Sequence, residues 1–245
     1  MPEPKVIYED ADIIVVDKPA GMSVHADGKN TDPTLIDWLL SKFPEIRDVG
    51  EPQKLGGGAE APRPGIVHRI DRETSGVLVV ARNLTTYERM KKKFARREVQ
   101  KTYRTFVYGA VLDDRGIIDK PIGRARGSSS RHSVKDMHGT MREAQTAFRT
   151  IGRSSGKGDE VTSYLEVFPK TGRTHQIRVH LASIHHAVVC DRVYSPKQES
   201  RLGFHRLALH ALSLSFMHPS TGKKVLFEAP LPPDFVEAER QLRQV

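Results

Sequence analysis

Two β-branched runs, Val6-Ile7-Tyr8 and Ile13-Ile14-Val15-Val16, are parted by Glu9-Asp10-Ala11-Asp12, which predicts a hairpin ending at Lys18-Pro19-Ala20-Gly21. Apolar spacing then predicts a short helix over 34–43, with Leu35, Trp38, Leu39 and Phe43 on one face and Pro44 just beyond its end. Residues 47–65 show no hydrophobic period and hold a glycine triplet at 56–58, so they read as a loop. That triplet lacks a following Gly-Lys-Ser/Thr and a preceding strand, which defeats a P-loop reading. Val77-Leu78-Val79-Val80 predicts a strand. Asn83 then caps a helix running to Glu98, with Leu84, Tyr87, Met90 and Phe94 as its buried stripe.

Tyr103 to Tyr108 alternates as a half-buried strand does, with Tyr103 and Thr105 on one face and Arg104 and Phe106 on the other. Residues 124–139 carry Arg124, Arg126, Arg131, Lys135 and a serine run, the composition of a basic loop. Strands are predicted at 144–150 and 161–168 around a turn at 154–159, then a helix at 174–184. A strand pair at 207–216 and 224–228 and a helix over 233–244 complete the pattern. Many strands joined by turns, with helices set between them, predict an α+β fold: a mixed, mainly antiparallel sheet with flanking helices. One domain over 1–245 is expected, with no separate module ahead of it and a monomer as the default state.

Charge sharpens this picture. The chain carries 39 Lys and Arg against 30 Asp and Glu, a formal charge of +9, with a pI near 9.7. The cations cluster on the outer face of the second helix, at Arg89, Lys91, Lys92, Lys93, Arg96 and Arg97, which makes nucleic acid the leading partner. The single cysteine, Cys190, permits neither an internal disulfide nor a cysteine metal cluster and fits a reducing, cytoplasmic setting. No apolar run is long enough to cross a bilayer, so no membrane association is expected.

The candidate chemistry centres on His68-Arg69-Ile70-Asp71-Arg72-Glu73-Thr74-Ser75-Gly76, which places an acid between two arginines on a loop entering a strand. By residue type alone Asp71 is better read as a turn aspartate capping backbone amides. Lys101-Thr102-Tyr103 and the stretch Gly172 to His180 add further polar groups. Taken with Lys18-Pro19-x-Gly21, Arg206-x-x-Leu209-His210-Ala211 and Leu214-x-Phe216-x-His218-Pro219, these segments resemble the RluA family of RNA pseudouridine synthases across nearly the whole chain. Ile70 stands where leucine is usual, and Cys190 where glycine is common.

The resemblance implies isomerisation of uridine in transfer or ribosomal RNA without cofactor or metal. It implies Asp71 as the essential carboxylate, Arg173 as the cation that pairs with it, and Tyr103 as the ring packed on the flipped uracil. Arg69 is expected to enter the space the base vacates. Further RNA contacts are expected from His68, Arg72, Thr74, Lys91, Lys92, Arg96, Arg97, Arg131, Gln176, Arg178 and His180.

Two other classes stay open from the residues themselves. A noncatalytic RNA-binding protein would tolerate loss of Asp71, and an RNA glycosidase would pair Asp71 with Glu73. Histidine spacing argues against a metal: His175 and His180 lie about 140° apart round a helix, and His205 and His210 point to opposite sides of a strand.

Overall fold

The computed structural model describes residues 2–26, 31–54, 60–61, 64–127, 131–154 and 161–243. The glycine triplet, the serine run at 128–130 and most of the 154–159 turn lie outside them. The first elements are β1 (Lys5–Glu9), β2 (Ile13–Lys18), α1 (Leu35–Lys42), β3 (Gln53–Lys54) and β4 (Glu60–Ala61). Next come β5 (Ser75–Ala81), α2 (Leu84–Ala95), β6 (Gln100–Tyr108), β7 (Arg115–Asp119) and β8 (Ile122–Ala125). They are followed by β9 (His132–Ser133), β10 (Met137–Arg142), β11 (Gln145–Arg153), β12 (Thr162–Pro169) and α3 (Gln176–Ala182). The last are β13 (Leu209–Met217), β14 (Lys224–Glu228) and α4 (Pro233–Arg243). The fold is the expected α+β type, with a mainly antiparallel sheet.

The chain forms two compact units: Met1–Gln100 with Ala211–Pro230, and Lys101–His210 with Leu231–Val245. In the first, the strands follow the order β1-β2-β5-β13, with β14 also paired to β13. Ile13 to Val16 and Val77 to Val80 are fully buried on every residue, which explains runs of apolar letters with no alternation. Gly76, the second residue of β5, has φ +115°, and a Cβ there would meet the Ala211 carbonyl oxygen at 2.1 Å; only glycine fits.

The Asp10 turn of the first hairpin is tied to the far end of β13. The His218 Nδ1 accepts from the Ser220 and Thr221 amides, so its Nε2 carries the proton and donates to Asp10 Oδ2 at 3.0 Å. Burial alone would raise the Asp10 pKa, but amide bonds from Ile13 and Asp12 and the Tyr8 hydroxyl bring it below the usual carboxylate value.

In the second unit the strand order is β6-β12-β11-β7. Phe106 stacks on Tyr164 with ring centroids 4.2 Å apart, and Phe204 and Phe235 complete an aromatic core. A separate small sheet, β10-β8-β9, occupies much of the region expected to be a basic loop. Its strands are short and largely solvated, so they carry little of the apolar alternation that marks a strand. Likewise β3 and β4 pair within the expected 47–65 loop.

Leu84, expected in the buried stripe of α2, is exposed, whereas Thr86, Tyr87 and Met90 are buried. At 100° per residue it lies roughly 110° from the centre of that face, too far round to share it. α3 is shorter than expected, because His175 takes a left-handed conformation at φ +55° and starts the helix only at Gln176.

Candidate active site

Asp71 lies in the first unit, half-buried, on a tight turn closed by a bond from the Thr74 amide to the Asp71 carbonyl at 3.1 Å. Aspartate favours the first position of such a turn. The next carbonyl, that of Arg72, is gripped twice, by the Gly21 amide at 2.9 Å and the Lys18 ammonium at 3.1 Å. Lys18 is fully buried, and its ammonium also donates to the carbonyls of Pro19 at 2.7 Å and Met22 at 2.8 Å. A buried ammonium is tolerated only when such acceptors surround it. The Lys-Pro-Ala-Gly segment is therefore a socket for the Asp71 turn, joined across 54 residues of sequence.

The neighbours of Asp71 are placed by the same frame. Arg72 is exposed, bonding Gly21 O at 2.9 Å and Asp32 at 3.2 Å. Arg69 is exposed, with its Nη1 3.2 Å from His25 Nε2. His68 stacks on Phe94 at 4.6 Å, and its Nε2 accepts from the Val79 amide at 3.0 Å, so its ring braces β5. Thr74 is buried.

Tyr103 and Arg173 lie in the second unit. Tyr103 sits on β6 opposite Val167 and packs, partly buried, against the unit's hydrophobic core. Arg173 follows β12 on a turn; its amide bonds Gln176 Oε1 at 3.0 Å and its Nε donates to the Glu143 carbonyl at 3.0 Å. The fork is thus held at one corner, leaving its terminal amino groups as donors for a carboxylate or phosphate. Lys101, behind this turn, donates to Thr171 O at 2.8 Å. Burial first, and the charge of Arg173 second, push its pKa down to about 8.

The remaining expected RNA contacts fall into two groups. Lys91, Lys92, Arg96, Arg97 and Arg131 are exposed; Lys91 meets Glu51 at 2.6 Å, and Arg96 lies 3.9 Å from Glu98. Such surface pairs are weak and exchangeable for phosphate. Gln176, Arg178 and His180, by contrast, are buried. Arg178 forms a two-point bond with buried Asp191 at 2.7 and 2.8 Å, while Gln176 and His180 bond within the unit. The expectation of direct RNA contact thus meets side chains whose polar groups already have interior partners. Their spacing held a signal: Gln176 and His180 are four residues apart, one helical face, with apolar neighbours that turn this face inward.

Among the described residues one His/Asp cluster has metal-like proximity, Asp10, Asp12 and His218. The hydrogen bonds that make His218 an internal donor, and those from Asn83 and Thr86 to Asp12 Oδ1, account for the grouping without an ion.

Residues 12–183 match the family model for RNA pseudouridylate synthase. The chain belongs to the RluA family of RNA pseudouridine synthases. It is 39% identical over 240 residues to an uncharacterized RNA pseudouridine synthase of Mycobacterium bovis, covering 97% of this chain and 72% of that protein. To the ribosomal large subunit pseudouridine synthase D of Vibrio cholerae it is 36% identical over 250 residues, with 98% and 71% covered. Among solved structures, human RNA pseudouridylate synthase domain containing 1 matches with a TM-score of 0.71 and 26% identity, over 94% of this chain and 84% of that one. This pseudouridine synthase is therefore an isomerase that acts on RNA. None of its described helices is long and apolar enough to cross a membrane.

Proposed function

We propose that the enzyme converts uridine to pseudouridine in ribosomal or transfer RNA, with Asp71 as the essential carboxylate. What supports this most is the construction of the Asp71 turn, in which a fully buried lysine and a backbone amide fix the carbonyl next to the acid. The name carried by the Vibrio relative favours large-subunit ribosomal RNA.

In the reaction the bond between the sugar and N1 of uracil breaks, the base turns, and the sugar rejoins at carbon five, whose hydrogen leaves as a proton while N1 takes one up. Asp71 serves at the electron-poor sugar, as a nucleophile or as a proton-transfer group. Arg173 pairs with the carboxylate during turnover, and Tyr103 meets the detached uracil. Arg69, exposed and two residues before Asp71, enters the stack when the base leaves. Exposed Lys91, Lys92, Arg96, Arg97 and Arg131 hold the phosphate backbone.

Unmodified ribosomal and transfer RNA tritiated at carbon five of uridine gives the test. Wild type is expected to release tritium without free uracil, and Asp71→Ala to release none. Free uracil and abasic RNA would instead identify a glycosidase; RNA binding with no release by either protein would identify a noncatalytic binder. Arg69→Ala is expected to lose about tenfold or more on folded RNA, since extruding a stacked base costs a few kcal/mol, and little on a single-stranded substrate. Equal losses on both would remove the wedge role.

A further inference from the structure

The interior face of α3 carries a row of hydrogen bonds in which each partner fixes the role of the next. The Lys120 carbonyl can only accept, so His180 Nε2, 2.9 Å away, bears the proton. His180 Nδ1 is then an acceptor and takes the Thr146 hydroxyl proton at 2.9 Å. Having donated, the Thr146 oxygen accepts from Gln176 Nε2 at 3.0 Å, and that nitrogen also donates to the Gln145 carbonyl at 2.9 Å. The amide orientation of Gln176 is thereby settled, and its Oε1 takes the Thr171 hydroxyl at 2.6 Å and the Arg173 amide at 3.0 Å.

Thr146 and His180 are fully buried, and Gln176 is 4% exposed. A buried row with every member satisfied favours one arrangement over its alternatives. Its end point is the residue whose guanidinium is already tethered by Nε to Glu143, two residues before Gln145. Both the backbone and the side chain of Arg173 are thus referenced to the entry of β11. Burial lowers the His180 pKa against the raising effects of the Lys120 carbonyl and Asp119, and this keeps the ring in the neutral form the row needs.

We infer that His180, Thr146 and Gln176 are positioning residues for the isomerase reaction, acting through Arg173 rather than on RNA. The inference rests on the role given to Arg173 above. Thr146→Val is nearly isosteric and removes the hydroxyl in the middle of the row; Thr146→Ser keeps it.

With tritiated ribosomal and transfer RNA as substrate, Thr146→Val is expected to lower kcat between about tenfold and 100-fold with KM within about twofold, as small misplacements do. Thr146→Ser should stay within about threefold of wild type. In an Arg173→Ala background, Thr146→Val should change kcat by less than about twofold, because the group it serves is gone. All proteins are compared below the melting temperature of the weakest, and Thr146→Ala replaces Thr146→Val if the latter does not fold. Losses that multiply in the double variant, or a Thr146→Val enzyme with wild-type kcat, overturn the inference. Full kcat in Arg173→Ala overturns the reading of Arg173 itself, and this inference with it.

Discussion

The Asp71 turn and the Arg173 turn are held by opposite means. A buried cation, itself seated on the Pro19 and Met22 carbonyls, grips the first through the Arg72 carbonyl. The second is held by a neutral glutamine, with a threonine and a histidine behind it. The difference follows from what each turn carries. A positive socket beside a carboxylate adds attraction to geometry, whereas a positive socket beside a guanidinium would add repulsion. Lys101, near that guanidinium, shows the direction of the effect: burial first, and the Arg173 charge second, hold its amine at about 8 rather than the ordinary lysine value.

The largest expected effect breaks the charged socket. Lys18→Met leaves three interior carbonyls without that donor, and should cost roughly 3 kcal/mol or more of stability along with most activity. Denaturant melts and turnover on tritiated RNA would measure both; a variant melting like wild type would show that the ammonium is not needed.

Lys101 sharpens the comparison through pH. Its folded pKa lies below the unfolded value of 10.5, so between about pH 8 and pH 10.5 the unfolded chain binds more protons and stability rises with pH. Below pH 8 the full penalty of the buried charge applies. The stability difference between wild type and Lys101→Met should therefore move towards wild type across that window, by up to about 3 kcal/mol. A flat difference would place the amine in water. The smallest effect is expected from Arg72→Ala. This removes the exposed outer part of the same Asp71 clamp and should cost less than about 1 kcal/mol, against the much larger loss at buried Lys18.

Much of this was legible in the letters. The hairpin, the strand after Asp71 and the position of the acid on its entering loop all follow from runs of Val and Ile beside glycine and proline. Lys18 was legible only as part of a motif, because the bond that ties it to the Asp71 turn depends on chain returning from 54 residues away. The inward turn of Gln176 and His180 was hidden by polarity, which reads as surface until a buried partner such as Thr146 is known. The small sheet around β8 was hidden because solvated strands lack a hydrophobic period.

The tie between His218 and Asp10 also sets an order in time. During synthesis the first hairpin leaves the ribosome long before residues 211–230, which complete its unit, have been made. The segment between them, residues 101–210, takes on the order of 10 s to translate at ordinary speeds. Throughout that delay β5 awaits β13, its neighbour in the finished sheet. A nascent chain of this enzyme therefore exposes an unfinished sheet edge, a natural client for ribosome-bound chaperones, until residues 211–230 emerge.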